Sequence, residues 1–256
     1  MSKKFTILTS SYNCARYLPE LVNSVIAQTY RPIEHVLVND KSTDGTMKII
    51  GNIREKYKKA GIEFKFINAP RKLYCGSAYH LGLKNATGNY FGVLDSDDAL
   101  EPYACKFVAG LYEKFHQVGW VYTQYNKYNR SMDRIIKRGW CNVPNKKGTL
   151  LSMAKKGIHK YSHWRTFSDR VPNRNTLFKK RLRCCVDKYL GYRLEELAIG
   201  MFADKVCYRY RTRRKGEKPI VHFEPLREVW TKVINEAKRR RKEQQIKCYK
   251  ILKYKG

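Results

Sequence analysis

Short apolar runs and amphipathic stripes alternate through the first half of the chain. Phe5-Thr6-Ile7-Leu8-Thr9 has the length of a buried strand, and Leu18, Leu21, Val22, Val25 and Ile26 share one helical face, with Pro19 tolerable in its first turn. His35-Val36-Leu37-Val38-Asn39 reads as a second strand. After a turn at residues 40–45, Ile49, Ile50, Ile53 and Tyr57 mark a second helix, capped by Thr43 or Asp44. Phe64-Lys65-Phe66-Ile67-Asn68 is a third strand, residues 78–86 a third helix and residues 90–94 a fourth strand. A helix over residues 102–115 and a strand over 120–125 complete the series. This alternation predicts an α/β fold, a parallel sheet covered on both faces by helices.

Ligands of such sheets bind beyond the carboxyl ends of the strands. The polar residues gather there: Ser10-Ser11-Tyr12-Asn13 after the first strand, Asn39-Asp40 after the second, Asn68-Ala69-Pro70-Arg71 after the third and Asp95-Ser96-Asp97-Asp98 after the fourth. Three carboxylates at one strand end, in a chain of formal net charge +31, call for a positive counterpart. A divalent metal carrying a phosphorylated ligand meets that need, because hard cations take oxygen ligands and keep substrate phosphates in their shell. The alternative is a turn of solvated acids that caps the next helix.

From about residue 126 the pattern loosens, and Arg, Lys, Tyr and Trp interleave without a clear period. Near the end Val229, Trp230, Val233, Ile234 and Ala237 form a helical stripe, followed by Lys238-Arg239-Arg240-Arg241-Lys242 and by Ile246, Tyr249 and Leu252 at threefold spacing. This tail reads equally as a docked helix with its basic side in water or as a lipid or nucleic-acid contact. The expected parts are residues 1–125 for the ligand-binding half, 126–215 for a basic acceptor region and 216–256 for a basic helical extension.

Charge sharpens this division. Residues 1–128 hold 17 Lys/Arg against 11 Asp/Glu, whereas residues 129–256 hold 36 against 11. So positive a half attracts polyanions, and one of them is the expected partner. The eight cysteines show no CxxC pair or zinc-ligand spacing, and no run approaches the length of a membrane span. A cytoplasmic protein, peripheral on a membrane if its basic tail binds lipid, is the expectation.

The spaced elements Ser11-Tyr12-Asn13, Leu18, Ser24-Val25, Gln28-Thr29-Tyr30, Val38-Asn39-Asp40, Ser42-Thr43-Asp44-Gly45-Thr46, Asn85-Ala86-Thr87-Gly88-Asn89-Tyr90 and Asp95-Ser96-Asp97-Asp98 together resemble glycosyltransferase family 2, over roughly residues 4–115. The resemblance implies the GT-A fold, a Rossmann-like, mostly parallel sheet flanked by helices. It also implies inverting sugar transfer from a nucleotide-sugar, usually a UDP-sugar, with Mn2+ or Mg2+ on the diphosphate. By position, Ser11, Tyr12 and Asn13 would meet the nucleotide and Asp40 would accept the base N–H. Asp97 and Asp98 match the pair that handles ribose and metal, with Asp95 in support. Arg-Asn often stands in the family where this chain has Tyr79-His80, so Arg71 or Lys72 would meet the diphosphate.

An inverting displacement needs a base for the acceptor hydroxyl. The family's acidic pair resembles the segment Cys184-Cys185-Val186-Asp187, where Asp187 takes the second position and Val186 replaces the first. Glu195 and Glu196 are the other candidates. Thr212-Arg213-Arg214 stands where many members have a His, leaving His222 as a substitute. His159 and His163 flank an aromatic, basic segment whose Trp164 and Arg165, with Arg209 and Arg211, are expected at the acceptor. Three acceptor readings follow, with the expectation leaning to the first: modified (hydroxymethylated) DNA, favoured by the charge and by aromatics such as Trp164, Tyr208 and Tyr210 for stacking on bases; a lipid-linked or cell-surface glycan on an anionic membrane, favoured by the family; and no acceptor, in a binding protein without catalysis.

Overall fold

Apolar runs flanked by turn residues build one sheet. The computed structural model describes residues 2–144, 149–151, 161–212 and 226–254. Strands β1 (Phe5–Ser11), β2 (Ile33–Asn39), β3 (Glu63–Asn68) and β4 (Tyr90–Val93) lie parallel in the order β4-β1-β2-β3. Every residue of β2 and β4 is buried, as expected for strands covered on both faces. The connecting helices are α1 (Leu18–Ile26), α2 (Thr46–Lys59) and α3 (Tyr74–Asn85), and α4 (Ala104–Lys114) leads back into the sheet. The N-cap of α2 is Gly45 rather than Thr43 or Asp44, and Asp44 just before it accepts the Thr46 N–H at 3.0 Å. The chain leaves β1 for β2 on one side and later adds β4 on the other, which puts the topological switch point at β1.

The second half continues this sheet. It contributes β6 (Val118–Tyr128), β7 (Ile135–Arg138), β8 (Arg165–Ser168), β9 (Ile199–Arg211) and β10 (Ile251–Tyr254), giving the order β10-β9-β6-β8-β4-β1-β2-β3. Strand β8 runs antiparallel between β4 and β6, so β6 and β9 point the same way as β1. The boundary expected at residue 125 therefore falls inside β6. A two-residue strand, β5 (Ala99–Leu100), pairs antiparallel with Tyr208 and Arg209 of β9. The long β9 escapes a periodicity reading because its register with β6 shifts three times, breaking strict alternation.

The C-terminal segment departs from the sequence pattern. Helix α6 (Leu226–Glu243) packs against α5 (Val186–Leu197), burying Val229, Val233 and Ala237. Gln245 takes a left-handed conformation (φ 50°) just after the helix, and Ile251 and Leu252 then enter β10 rather than a further helical turn. Nor does the basic run face only water. Arg240 and Arg241 turn inward, where Glu196 accepts from Arg193 (2.6 Å), Arg240 (2.7 Å) and Arg241 (2.9 Å), and Glu195 accepts from Arg241 (2.9 Å) and the Leu150 N–H (2.7 Å). Among the described residues no helix is long and apolar enough to cross a membrane.

Candidate active site

The strand ends open onto a cavity of about 990 Å3 whose lining includes Ser10, Tyr12, Asp40, Asp95, Asp97, Asp98, His163 and Arg165. Asp187, Lys188, Arg183, Arg227 and Trp230 line it as well, so α5 and α6 complete the wall that the sheet begins. The ends of β1, β2 and β4 and residues from the basic half thus meet at one site, whereas the expected third strand end, residues 68–71, contributes none of the lining.

The acidic loop is pinned from β9. It leaves β4, turns through an Asp98 N–H to Asp95 carbonyl bond of 3.1 Å, and re-enters the sheet at β5. Tyr208 donates to Asp98 Oδ2 (2.8 Å) and accepts the Asp95 N–H (3.1 Å), while the Arg211 N–H reaches Asp98 Oδ1 (2.7 Å) and Arg211 Nε the Asp97 carbonyl (2.7 Å). Asp95 accepts from Arg165 (2.8 Å) and Tyr79 (2.8 Å), with His163 Nε2 at 3.4 Å.

Electrostatics separates these acids. Burial opposes ionisation of Asp95, but Arg165 and His163 outweigh it and hold the carboxyl far below the usual carboxylate range. For Asp98, burial and the adjoining Asp97 and Asp95 act together and push the carboxyl well up. Burial and then Arg165 keep His163 neutral near pH 7. Asp95, Asp98 and His163 each bring a ligand atom to within 4.8 Å of the others, and half-buried Asp97 lines the same cavity. Carboxylate oxygens with one neutral imidazole are a donor set that fits Mn2+ or Mg2+.

Asp40 binds the protein as well as facing the cavity. Its carboxylate accepts the N–H groups of Leu73 (2.5 Å) and Tyr74 (3.0 Å) at the start of α3, as well as Lys72 Nζ (3.1 Å). Oδ2 takes both Tyr74 and Lys72 but Oδ1 only Leu73, so Oδ1 keeps a lone pair for a base N–H. The Lys72 ammonium also stands 2.7 Å from the centre of the Tyr12 ring. Ser11 is fully buried between the lining residues Ser10 and Tyr12, and its carbonyl accepts the Asp40 N–H (2.8 Å). Asn13 fastens the first loop to the second by accepting the Thr43 N–H (2.8 Å). Arg71 is exposed and is not part of the lining.

Asp187 lies in the first turn of α5 with Lys188 Nζ 3.3 Å away. Burial would raise its carboxyl, but Lys188 and Arg165 draw it below the ordinary value, so it is ionised at neutral pH and able to accept a proton. Glu195 and Glu196, expected as alternative bases, sit outside the lining and are saturated by the arginines that fasten α6. Cysteines 14, 75, 184 and 185 line the cavity as thiols, burial pushing Cys14 up to about 11 and Cys185 up to about 12.

Two acceptor expectations do not survive burial. Trp164 is fully buried, its ring stacked on Phe5 at 5.4 Å and so close to β4 that a Cβ on Gly92 would lie 2.3 Å from it. Tyr208 is fully buried as well, holding the acidic loop rather than offering a face to bases. Arg165 faces the donor side through Asp95, Arg211 is spent on the acidic loop, and Arg209 pairs with Glu101 at 2.8 Å. His159 and His222 lie outside the described residues. Sequence reading missed Arg183 and Arg227, and only Arg183 carried a signal, its closeness in sequence to Asp187.

Comparison with known proteins agrees with this geometry. The family model described as Glycosyl transferase family 2 matches residues 6–172. A chondroitin synthase of Escherichia coli is 29% identical over 235 residues, which is 91% of this chain and 32% of that protein. The chain thus spans about a third of that relative's length. Staphylococcus aureus TarS residues 1–349, solved with UDP-GlcNAc, aligns with a TM-score of 0.66 and 22% identity over 90% of this chain and 65% of that one. A mannosyltransferase from Pyrobaculum calidifontis, solved with GDP-Man and Mn2+, aligns with a TM-score of 0.60 and 16% identity over 84% of this chain and 59% of that one.

Proposed function

Because the chain belongs to glycosyltransferase family 2, we propose that its cavity binds a UDP-sugar and passes the sugar, with inversion, to a hydroxyl of an anionic glycan. The observation that carries this reading is the meeting of the acidic loop and Asp187 in one cavity at the switch point of the sheet. The nucleotides bound by TarS and the mannosyltransferase support the donor class.

Tyr12 offers its ring to the base and Asp40 accepts the base N–H. Asp98, Asp95 and His163, with Asp97 in the same lining, would hold a divalent ion, which when bound neutralises charge on the departing diphosphate. Arg183, in the cavity lining, would take part of the diphosphate's charge, with Lys72 beside Asp40 as the second candidate. Asp187 removes the proton from the acceptor hydroxyl as it attacks the anomeric carbon, while the bond from that carbon to the diphosphate oxygen breaks. Lys188 keeps Asp187 ionised until that step.

The strongly basic second half supports an anionic acceptor, and the name of the chondroitin synthase supports a polysaccharide. DNA is the second reading. It has the charge in its favour, but Trp164 and Tyr208 are buried and cannot stack on its bases. Incubation with radiolabelled UDP-sugars and either uronate-containing oligosaccharides or hydroxymethylated duplex DNA separates the two. Label in the oligosaccharide alone is expected, and label in the DNA alone reverses the assignment.

A further inference from the structure

We infer that the β6–β7 hairpin docks the protein on an anionic bilayer surface. All four residues of β7 are exposed, and successive strand residues face opposite sides, so Ile135 and Ile136 project from the two faces of the ribbon while Arg138 ties its far end to Asp204 at 2.7 Å. Ile135 is 52% exposed, Ile136 53% and Trp140 42%, three large apolar side chains within six positions. Strand β7 pairs only with β6 among the described strands, leaving its outer edge open.

The hairpin is rigidly tied to the mouth of the active site. Since β6 points the same way as β1, its carboxyl end, from which β7 springs, lies at the edge of the sheet that carries Asp40 and the acidic loop. The Gly139 N–H donates to the Tyr125 carbonyl at 2.7 Å, and a Cβ at Gly139 would lie 2.5 Å from the Tyr125 ring. This close approach sets Trp140 edge-on to Tyr125, with ring centres 6.3 Å apart. Tyr125 in turn meets His163 edge-on at 5.4 Å, and His163 reaches Asp95. Trp140 is therefore two ring contacts from the acidic loop.

Chemistry selects the occupant. Between residues 127 and 140 the chain carries five basic residues against the single acid Asp133; Arg134, Lys137 and Arg138 are exposed, and Arg138 is paired with Asp204 at 2.7 Å, which leaves Arg134 and Lys137 beside the isoleucines to meet an anionic surface. Aliphatic side chains with a Trp amid Lys and Arg match a headgroup boundary, where apolar side chains enter the acyl region and the cations meet anionic lipid. A polyanionic glycan would explain the cations but not two adjacent exposed isoleucines. A second copy of the chain would cover the isoleucines but bring like charges together. Lys137 and Arg138 also discourage strand pairing at an open edge, which leaves the apolar pair unexplained.

Vesicle flotation of the full chain tests this, using phosphatidylcholine alone and phosphatidylcholine mixed with phosphatidylglycerol. The wild type is expected to float with the mixed vesicles only, and less so as salt rises. Combined Ile135→Ser and Ile136→Ser, which keeps the Trp140–Tyr125 contact, is expected to weaken binding at least about tenfold while leaving donor binding unchanged. Arg134→Gln with Lys137→Gln, which keeps the apolar residues, should weaken binding to the mixed vesicles and flatten its salt dependence. Absence of wild-type binding, equal binding by the apolar variant, or a wild-type dimer that this variant abolishes would each overturn the proposal.

Discussion

Tyr208 donates its hydroxyl hydrogen to Asp98 Oδ2 at 2.8 Å, so a residue 110 positions along the chain fixes the carboxylate at the end of the acidic loop. The same hydroxyl accepts the Asp95 N–H, and the loop is held at both ends by one phenol. Tyr208→Phe should therefore fold normally yet lose about 10–100-fold in metal affinity or activity, the usual effect of removing a group that orients metal ligands. A titration of sugar transfer against Mn2+ reads this directly. An unchanged half-saturating Mn2+ concentration would detach Tyr208 from the metal site.

Asp187 and Lys188 predict a separation of chemistry from binding. Asp187→Asn should lower kcat by about 10²–10⁴-fold, the ordinary contribution of a positioned base, with little change in KM for the donor. An unaltered kcat would move the base elsewhere in the cavity.

Glu196 should matter for stability and not for the reaction. Glu196→Gln leaves the buried Arg193 and the half-buried Arg240 and Arg241 without their common carboxylate, which predicts destabilisation of about 3 kcal/mol, the low end for a broken buried pair because Arg240 and Arg241 keep Glu236 and Glu195. Thermal melting should fall by several degrees, whereas kcat below the new transition stays within a few-fold of wild type. A large loss of kcat with unchanged melting would restore a catalytic part for this residue.

His35 predicts the acid limb of stability. It is fully buried on β2 between Tyr57 Oη (2.8 Å) and Thr9 Oγ1 (3.1 Å), and burial lowers its pKa from 6.5 to about 3. The unfolded chain takes up this proton below pH 6.5 and the folded chain does not, so the stability due to neutral His35 is present above pH 6.5 and is lost as pH falls towards 3. Melting temperatures at pH 7.5 and pH 5 should differ less in His35→Gln than in wild type. Equal differences would show that other groups govern the acid limb.

The donor half was legible because its strands are uninterrupted apolar runs and its helices keep a clean stripe. All five strands expected up to residue 125 form, although β6 extends to Tyr128 and α3 begins at Tyr74, four residues early. Asp40 and the acidic loop could be found because parallel topology alone carries strand ends to one edge. The second half was less legible for definite reasons. Strand β8 reads as an aromatic, basic segment because Arg165 is buried against Asp95, and a buried charge looks like a surface one in sequence. Tyr208 and Trp164 looked like platforms for bases because an aromatic residue beside an arginine does not reveal which of the two faces water. Glu195 and Glu196 looked catalytic because their partners, Arg240 and Arg241, lie some 45 positions downstream.

The most direct test is release of nucleoside diphosphate from a panel of UDP- and other nucleotide-sugars, with Mn2+ or Mg2+ and with EDTA, for wild type and Asp97→Asn. It needs no knowledge of the acceptor. Turnover of at least one UDP-sugar is expected with the metal, and none with EDTA or in a folded Asp97→Asn variant. Turnover that persists undiminished in EDTA and in Asp97→Asn, or a folded wild type that turns over no nucleotide-sugar at all, would contradict a metal-dependent nucleotide-sugar transferase built on the acidic loop.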